Sequence, residues 1–78
     1  MFNFGDAIAA LKRGENVSRV GWNGKGMYLY LEDWLEGTFP EGRNYQPCIV
    51  MFTADKKHQP GWLASQADIL AEDWCLNV

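Results

Sequence analysis

Histidine and cysteine are scarce in this 78-residue chain, and their scarcity limits the chemistry that it can perform. His58 is the only histidine, and its Lys-Lys-His-Gln surroundings lack the pattern of Cys or Asp partners typical of a metal site. We interpret it as a solvated turn residue, which leaves no Ser-His-Asp or Cys-His arrangement. Cys48 and Cys75 are too few for a disulfide framework. Each lies in an apolar run, which predicts buried free thiols in a reducing compartment.

The chain also lacks long hydrophobic runs and an excess of positive charge. No apolar run approaches the ~20 residues that a membrane span requires, and the segment Met1–Asp6 has neither the basic start nor the apolar core of a signal peptide. Seven Lys and Arg against ten Asp and Glu give a net charge of −3, which disfavours non-specific DNA or RNA binding. We therefore expect a cytoplasmic protein without nucleic-acid or membrane partners, although local donors remain compatible with a small anionic ligand.

The length and composition predict one folded domain over residues 1–78. Hydrophobic residues make up 47% of the chain and aromatic residues 14%, which is enough apolar surface to exclude disorder. A domain this small buries a modest share of its surface and is marginal alone. With neither disulfides nor a metal motif, self-association is the expected source of additional stability.

The order of elements predicts an α+β fold, a small antiparallel sheet of about five strands with an N-terminal helix and a second short helix before the last strand. The connections are mostly too short for parallel crossovers, which favours antiparallel pairing. Asn3 is the expected N-cap of the first helix, and Ser65 with Asp68 forms the expected capping box of the second. The predicted bounds are helices over 4–13 and 66–71, strands over 17–20, 27–31, 48–53, one ending near Trp62 and one over 73–78, and a long acidic loop over 32–46.

A glycine-rich loop over residues 21–26 is the most informative motif. Trp22 offers a stacking face, Asn23 a two-sided hydrogen-bonding edge and Lys25 a mobile positive charge. The loop lacks the Gly-Lys-Ser/Thr ending of a P-loop and leads into a strand, not a helix. A tight hairpin turn at Asn23-Gly24 and a nucleotide-binding loop are both compatible with this spacing.

The remaining polar and aromatic residues give weaker signals. The carboxylates, among them Asp68, Glu72 and Asp73, are typical of helix caps and solvated loops, although such groups can also perform acid-base chemistry. Of the four tryptophans, Trp62 and Trp74 adjoin apolar residues and are expected in the core. Those in loops, Trp22 and Trp34, are expected at an interface or a ligand platform.

Taken together, these motifs resemble the Thoeris anti-defence protein 2 family of small phage and prophage proteins. The resemblance spans nearly the whole chain except residues 32–46, and its two strongest parts are the Gly-Trp-Asn-Gly-Lys loop and the segment Trp62–Trp74. It implies a non-catalytic sponge that sequesters cyclic ADP-ribose isomers (gcADPR) and so blocks activation of the Thoeris effector. It also implies a homotetramer with ligand pockets between protomers, no cofactor, and in some members a separate site for cyclic oligonucleotides.

The resemblance and the residue chemistry together give a candidate ligand-binding set. A purine requires an aromatic face, a pyrophosphate requires cations or N–H groups, and ribose hydroxyls require carboxylate or amide acceptors. The candidates are two stacking residues (Trp22 and Trp74), two phosphate-binding residues (Arg19 and Lys25), three polar residues that would read the ligand (Asn23, Asp68 and Asp73) and the loop residue Gly24.

Two other function classes remain open from the residues alone. One is a small hydrolase that uses Asp68, Glu72 or Asp73. The other is a protein-interaction module that inserts Trp34 and Phe39 of the acidic loop into a partner. The carboxylates of that loop would oppose the binding of a pyrophosphate if the loop closed over the pocket.

Overall fold

The computed structural model describes residues 1–22, 25–33 and 45–77. Within them the fold is the predicted α+β arrangement, a five-stranded antiparallel sheet with one helix at the N-terminus and one before the last strand. The elements in chain order are α1 (Phe4–Lys12), β1 (Val17–Arg19), β2 (Tyr28–Glu32), β3 (Cys48–Phe52), β4 (His58–Pro60), α2 (Gln66–Leu70) and β5 (Trp74–Leu76).

Helix α1 begins and ends as its sequence signals predict. The Asn3 side chain accepts a hydrogen bond from the Asp6 N–H at 2.9 Å, which satisfies one of the free donors of the first turn. At the other end Gly14 adopts a φ of +88°, a left-handed conformation that costs glycine little. The apolar stripe of α1 buries Ala7, Ala10 and Leu11 against the sheet.

The strands lie in the order β4-β3-β2-β1-β5, and every neighbouring pair is antiparallel. Strand β3 is an interior strand, and β2 occupies the middle position. Strands β1 and β2 pair with Val17 opposite Leu29. Strand β5 returns beside β1, with Arg19 paired to Trp74. An isolated bridge between Phe2 and Trp74 brings the two ends of the chain together.

The two faces of the sheet differ in character. On the α1 side, Val17, Leu29 and Trp74 are completely buried and form the core with the helix. On the opposite side, the rings of Tyr28 and Phe52 stack with their centroids 5.0 Å apart. Within β2, Leu29 and Leu31 therefore lie on the α1 side and Tyr28 and Tyr30 on the other, as the period-two pattern of residues 27–31 predicts.

Several expectations about single residues were wrong. His58 is not a turn residue: it begins β4, and its Nδ1 shares a 2.7 Å hydrogen bond with the Tyr30 hydroxyl. Cys48 and Cys75 are free thiols but are only half-buried, because each lies on the sheet face away from α1. The acidic loop was expected from residue 32, but Glu32 belongs to β2. The rest of that loop, including Trp34 and Phe39, lies mainly outside the described residues.

Candidate functional site

Three segments that are distant in the sequence meet at one end of the sheet. They are the end of β1 with the loop after it, the start of α2, and the residue before β5. Arg19 joins them, since its Nη1 donates to Asp68 Oδ1 and its Nε to Asp73 Oδ1, both at 2.9 Å. The Arg19 side chain is 19% exposed and that of Asp68 13%, so both charges are largely removed from water. The pairing therefore fixes the ends of β1 and α2 relative to β5.

The protonation equilibria of the three groups follow from this contact. The Asp73 carboxylate, and then that of Asp68, raise the pKa of Arg19 through their hydrogen bonds. Burial raises the pKa of Asp68, but the bonds from Arg19, Ser65 and Trp22 outweigh burial and leave it below its ordinary value of 3.8. The Arg19 guanidinium also lowers the pKa of Asp73, despite partial desolvation. One guanidinium thus faces two ionised carboxylates, and the cluster carries a net charge of −1.

Gly21 brings the glycine-rich loop onto this cluster. Its N–H donates to Asp73 Oδ2 at 2.7 Å. A Cβ at this position would lie 2.8 Å from the same oxygen, closer than side chains normally approach. Glycine at position 21 therefore allows the carboxylate to reach the backbone.

Three tryptophans pack together next to the ion pairs. The ring centroid of Trp22 lies 5.5 Å from that of Trp74 and 6.4 Å from that of Trp62, both at steep angles. Trp22 and Trp62 are half-buried, whereas Trp74 is completely buried and also contacts Phe4. Trp74 therefore presents no ring face to solvent in this chain, because β5 carries it into the core. Trp22 remains partly exposed as a residue, and neither indole neighbour stacks parallel to it.

Asp68 links the tryptophans to α2. Its Oδ1 accepts a hydrogen bond from Trp22 Nε1 at 3.3 Å, and its carbonyl oxygen accepts one from Trp74 Nε1 at 3.0 Å. Its Oδ2 accepts from the Ser65 N–H at 3.0 Å, and the Ser65 Oγ accepts from the Asp68 N–H at 3.1 Å. The predicted capping box of α2 is confirmed, and the same carboxylate holds the Trp22 indole.

Lys25 stands apart from this cluster. It is exposed, and in the described part of the chain it makes no ion pair. Its charge is therefore available to a ligand, unlike that of Arg19, which two carboxylates offset. The other two loop candidates, Asn23 and Gly24, lie outside the described residues.

The structure thus brings together most of the candidates that the sequence suggests, namely Arg19, Trp22, Asp68, Asp73 and Trp74. It turns the polar members toward one another, a pairing that residue types alone did not indicate. Sequence reasoning assigned Trp62 only to the core, although it flanks Trp22 at this site. Its position just before the Ser65 capping box was the available signal, because a capped helix start fixes the residues that precede it.

The described residues contain few other sites at which chemistry could occur. They include no cluster of three or more His, Cys, Asp or Glu side chains arranged to hold a metal ion. Among the same residues, no helix has the length and apolar character needed to cross a membrane. The Tyr30–His58 pair lies on the opposite sheet face, where burial and then the nearby Glu32 charge raise the pKa of Tyr30.

Comparisons with known proteins agree with the motif resemblance. A protein from Bacillus phage SP01 named "Thoeris anti-defense 2" is 42% identical to this chain over 81 residues, which covers 92% of the chain and 90% of that protein. The model of the Tad2-like family, described as the Thoeris anti-defense 2-like domain, matches residues 2–77. The chain therefore belongs to the Tad2-like family of phage anti-defence proteins.

Proposed function

We propose that this protein binds and sequesters a cyclic ADP-ribose-type immune signal (gcADPR) in the host cytoplasm without converting it. Capture would keep the signal from the Thoeris effector and so protect the phage. Membership in the family supports the anti-defence role. The choice of ligand rests on the chemistry of the site.

The half-buried ring of Trp22 is the observation that carries the proposal. It lies between Trp62 and the core, and its indole N–H is bonded to Asp68. A purine stacked on such a ring contributes about 1–3 kcal/mol to binding. Because the ring is already fixed, little conformational entropy is lost when the base binds.

The phosphates would bind near Lys25, away from the carboxylates of the Arg19 cluster. The cluster of Arg19, Asp68 and Asp73 carries a net charge of −1 and would repel a pyrophosphate. Lys25 is exposed and unpaired among the described residues, so we place the phosphates near it, with Asn23 and Gly24 as loop contacts. In this arrangement the start of the loop is held in position by Arg19, Asp73 and Trp74.

The same pairing argues against Asp68 or Asp73 as the general acid of a hydrolase. A general acid near neutral pH requires a carboxyl whose pKa is raised, whereas the pKa values of Asp68 and Asp73 are both lowered. Sequestration needs slow release of the ligand and no turnover.

Mass spectrometry of what the protein extracts from an active TIR-enzyme reaction tests the proposal. The washed protein is denatured by heat, and we expect the released nucleotide to have the unchanged mass of a cyclic ADP-ribose isomer. Release of a cleaved product, with turnover lost in Asp73→Asn, would establish the hydrolase instead. Recovery of no nucleotide would reject both and favour a protein-interaction role.

The matched variants for this experiment are Trp22→Ala and Trp62→Ala. Both remove an indole from the same cluster, but only Trp22 is held by Asp68 and joined to the glycine-rich loop. We expect Trp22→Ala to lower recovery of the nucleotide by roughly tenfold or more, and Trp62→Ala to lower it less. Equal recovery from Trp22→Ala and the unmodified protein would refute the stacking role.

We further propose that the protein assembles as a homotetramer with pockets between protomers. Large aliphatic side chains are exposed in and before α2, where Leu63 is 89% and Leu70 74% exposed. Exposed apolar side chains grouped in one patch mark protein–protein interfaces, and we propose that these residues form part of such a patch. Sedimentation equilibrium should give four times the chain mass of 8.9 kDa, and Leu63→Glu with Leu70→Glu should reduce it. A chain that sediments as a monomer would contradict this assembly.

A further inference from the structure

The Asp68 carboxylate has no hydrogen-bonding capacity left for a ligand. A carboxylate offers about four acceptor positions. The Oδ1 atom accepts from Arg19 Nη1 and from Trp22 Nε1, and Oδ2 accepts from the Ser65 N–H and hydroxyl at 3.0 and 2.8 Å. Only 13% of the side chain is exposed. All four of these bonds go to groups of the chain itself.

The contacts around Trp22 are arranged to hold its loop at two points. The backbone is held at Gly21, whose N–H binds Asp73. The side chain is held at Nε1, which binds Asp68. Arg19 bridges the two carboxylates and keeps both acceptors in place. A loop fixed in backbone and side chain presents one orientation of its ring.

We propose that Asp68 is a positioning residue that orients the Trp22 indole for base stacking and makes no contact with the ligand itself. The inference deepens the proposed function and rests on it where binding is concerned. Asp73 acts in parallel through the Gly21 N–H. The carboxylates thus determine affinity through the geometry of the ring.

A double-mutant cycle of Trp22→Phe and Asp68→Asn tests this on the full chain. Trp22→Phe keeps an aromatic face but removes the Nε1 donor. Asp68→Asn replaces the charged acceptor with a neutral one and so weakens its bonds to the Trp22 indole and to Arg19. With gcADPR purified from a TIR-enzyme reaction as the probe, we expect each single change to weaken binding by about 3–10-fold, as for one lost hydrogen bond of ordinary strength. If Asp68 acts only through the indole, Asp68→Asn should change affinity less than about twofold in the Trp22→Phe background. Additive losses would indicate a direct ligand contact and overturn the proposal.

A measurement without ligand separates this inference from the proposed function. The indole N–H signals of the four tryptophans are recorded by ¹H–¹⁵N NMR, and the signal that Trp22→Phe removes is assigned to Trp22. We expect Asp68→Asn to shift that signal and to speed its exchange with solvent. An unmoved signal would overturn the positioning role even if gcADPR binds, whereas a shifted signal with no gcADPR binding would reject the sponge and leave the indole contact intact.

The control variant is Trp62→Phe. Trp62 belongs to the same ring cluster, but its indole N–H makes no hydrogen bond within residues 1–22, 25–33 and 45–77. Trp62→Phe should leave the Trp22–Asp68 coupling unchanged. If Asp68→Asn fails to fold, Trp22→Phe decides alone: a loss of affinity no greater than that of Trp62→Phe would overturn the proposal.

Discussion

At the level of single side chains, Gly21 shows how a motif and its physical cause can differ. The glycine-rich loop is typical of a place where a ligand approaches bare backbone. At position 21 the group that approaches is the Asp73 carboxylate of the same chain, 2.7 Å from the N–H. Glycine at position 21 is therefore required by a contact within the chain, irrespective of what the other loop residues bind.

Gly21→Ala should destabilise the protein. The new Cβ would lie 2.8 Å from Asp73 Oδ2, so the carboxylate must rotate away and lose its bond to the backbone. We expect Tm to fall by about 4–8 °C, the usual effect of one such bond in a domain of this size. Differential scanning fluorimetry measures this change.

The control for this prediction is the same substitution in an Asp73→Ala background. Without the carboxylate the added methyl group meets no obstacle, and Gly21→Ala should then leave Tm almost unchanged. An equal fall of Tm in both backgrounds would show that the loop backbone, not Asp73, requires glycine.

At the level of secondary structure, the stability of α2 depends on capping and side-chain hydrogen bonds. It has five residues and no buried side chain, and a helix this short is not stable alone. The Ser65–Asp68 capping box and the bond from Trp74 Nε1 to the Asp68 carbonyl hold it in place. The helix in turn positions the carboxylate that binds Trp22.

Ser65→Ala should lower the free energy of unfolding by about 1 kcal/mol, because it removes the acceptor for the Asp68 N–H. Urea denaturation followed by tryptophan fluorescence measures the change. Gln66→Ala is the matched control, since Gln66 is exposed in the same turn and its side chain takes no part in the capping box. Equal effects of the two substitutions would contradict the role of the cap.

Across the whole molecule, the ion pairs of Arg19 connect segments about fifty residues apart. They join the end of β1 to α2 and to the residue before β5, and so they hold the candidate site together at one end of the sheet. Stability and the geometry of the site are therefore linked through the same three charges.

This linkage predicts an acid-sensitive fold. The pKa values of Asp68 and Asp73 are lower in the folded chain than in the unfolded one. The unfolded state consequently takes up protons first as the pH falls. The free energy of unfolding should be insensitive to these groups above about pH 5 and should decrease as the pH falls further, through the folded-state pKa values. Urea denaturation at a series of pH values measures this profile.

Asp73→Asn should flatten the acid end of the profile, because one of the two titrating groups is removed. Glu15→Gln is the control: its partner Arg13 is 61% exposed, and so open an ion pair contributes little to stability. A profile that responds equally to both substitutions would show that the Arg19 cluster is not the origin of the acid sensitivity.

Local patterns in the chain were enough to predict the α+β class, the first helix and both helix caps. Periodicity and capping act over three or four residues, so a sequence displays them directly. The strand positions were also predicted, but their ends were displaced by one or two residues, because strand ends depend on the neighbouring strand. His58 was misassigned for the same reason, since only pairing with β3 makes its segment a strand.

The charge and aromatic content of the candidate site could likewise be read from residue types, but its internal connections could not. Only the tertiary structure decided that Arg19 binds Asp68 and Asp73, that Trp74 is buried while Trp22 remains partly exposed, and that Gly21 faces a carboxylate. These contacts join residues 46 to 54 positions apart. Which of many compatible donors and acceptors meet at such separations depends on the register of β1 with β5, and that register is set by burial of the whole sheet against α1.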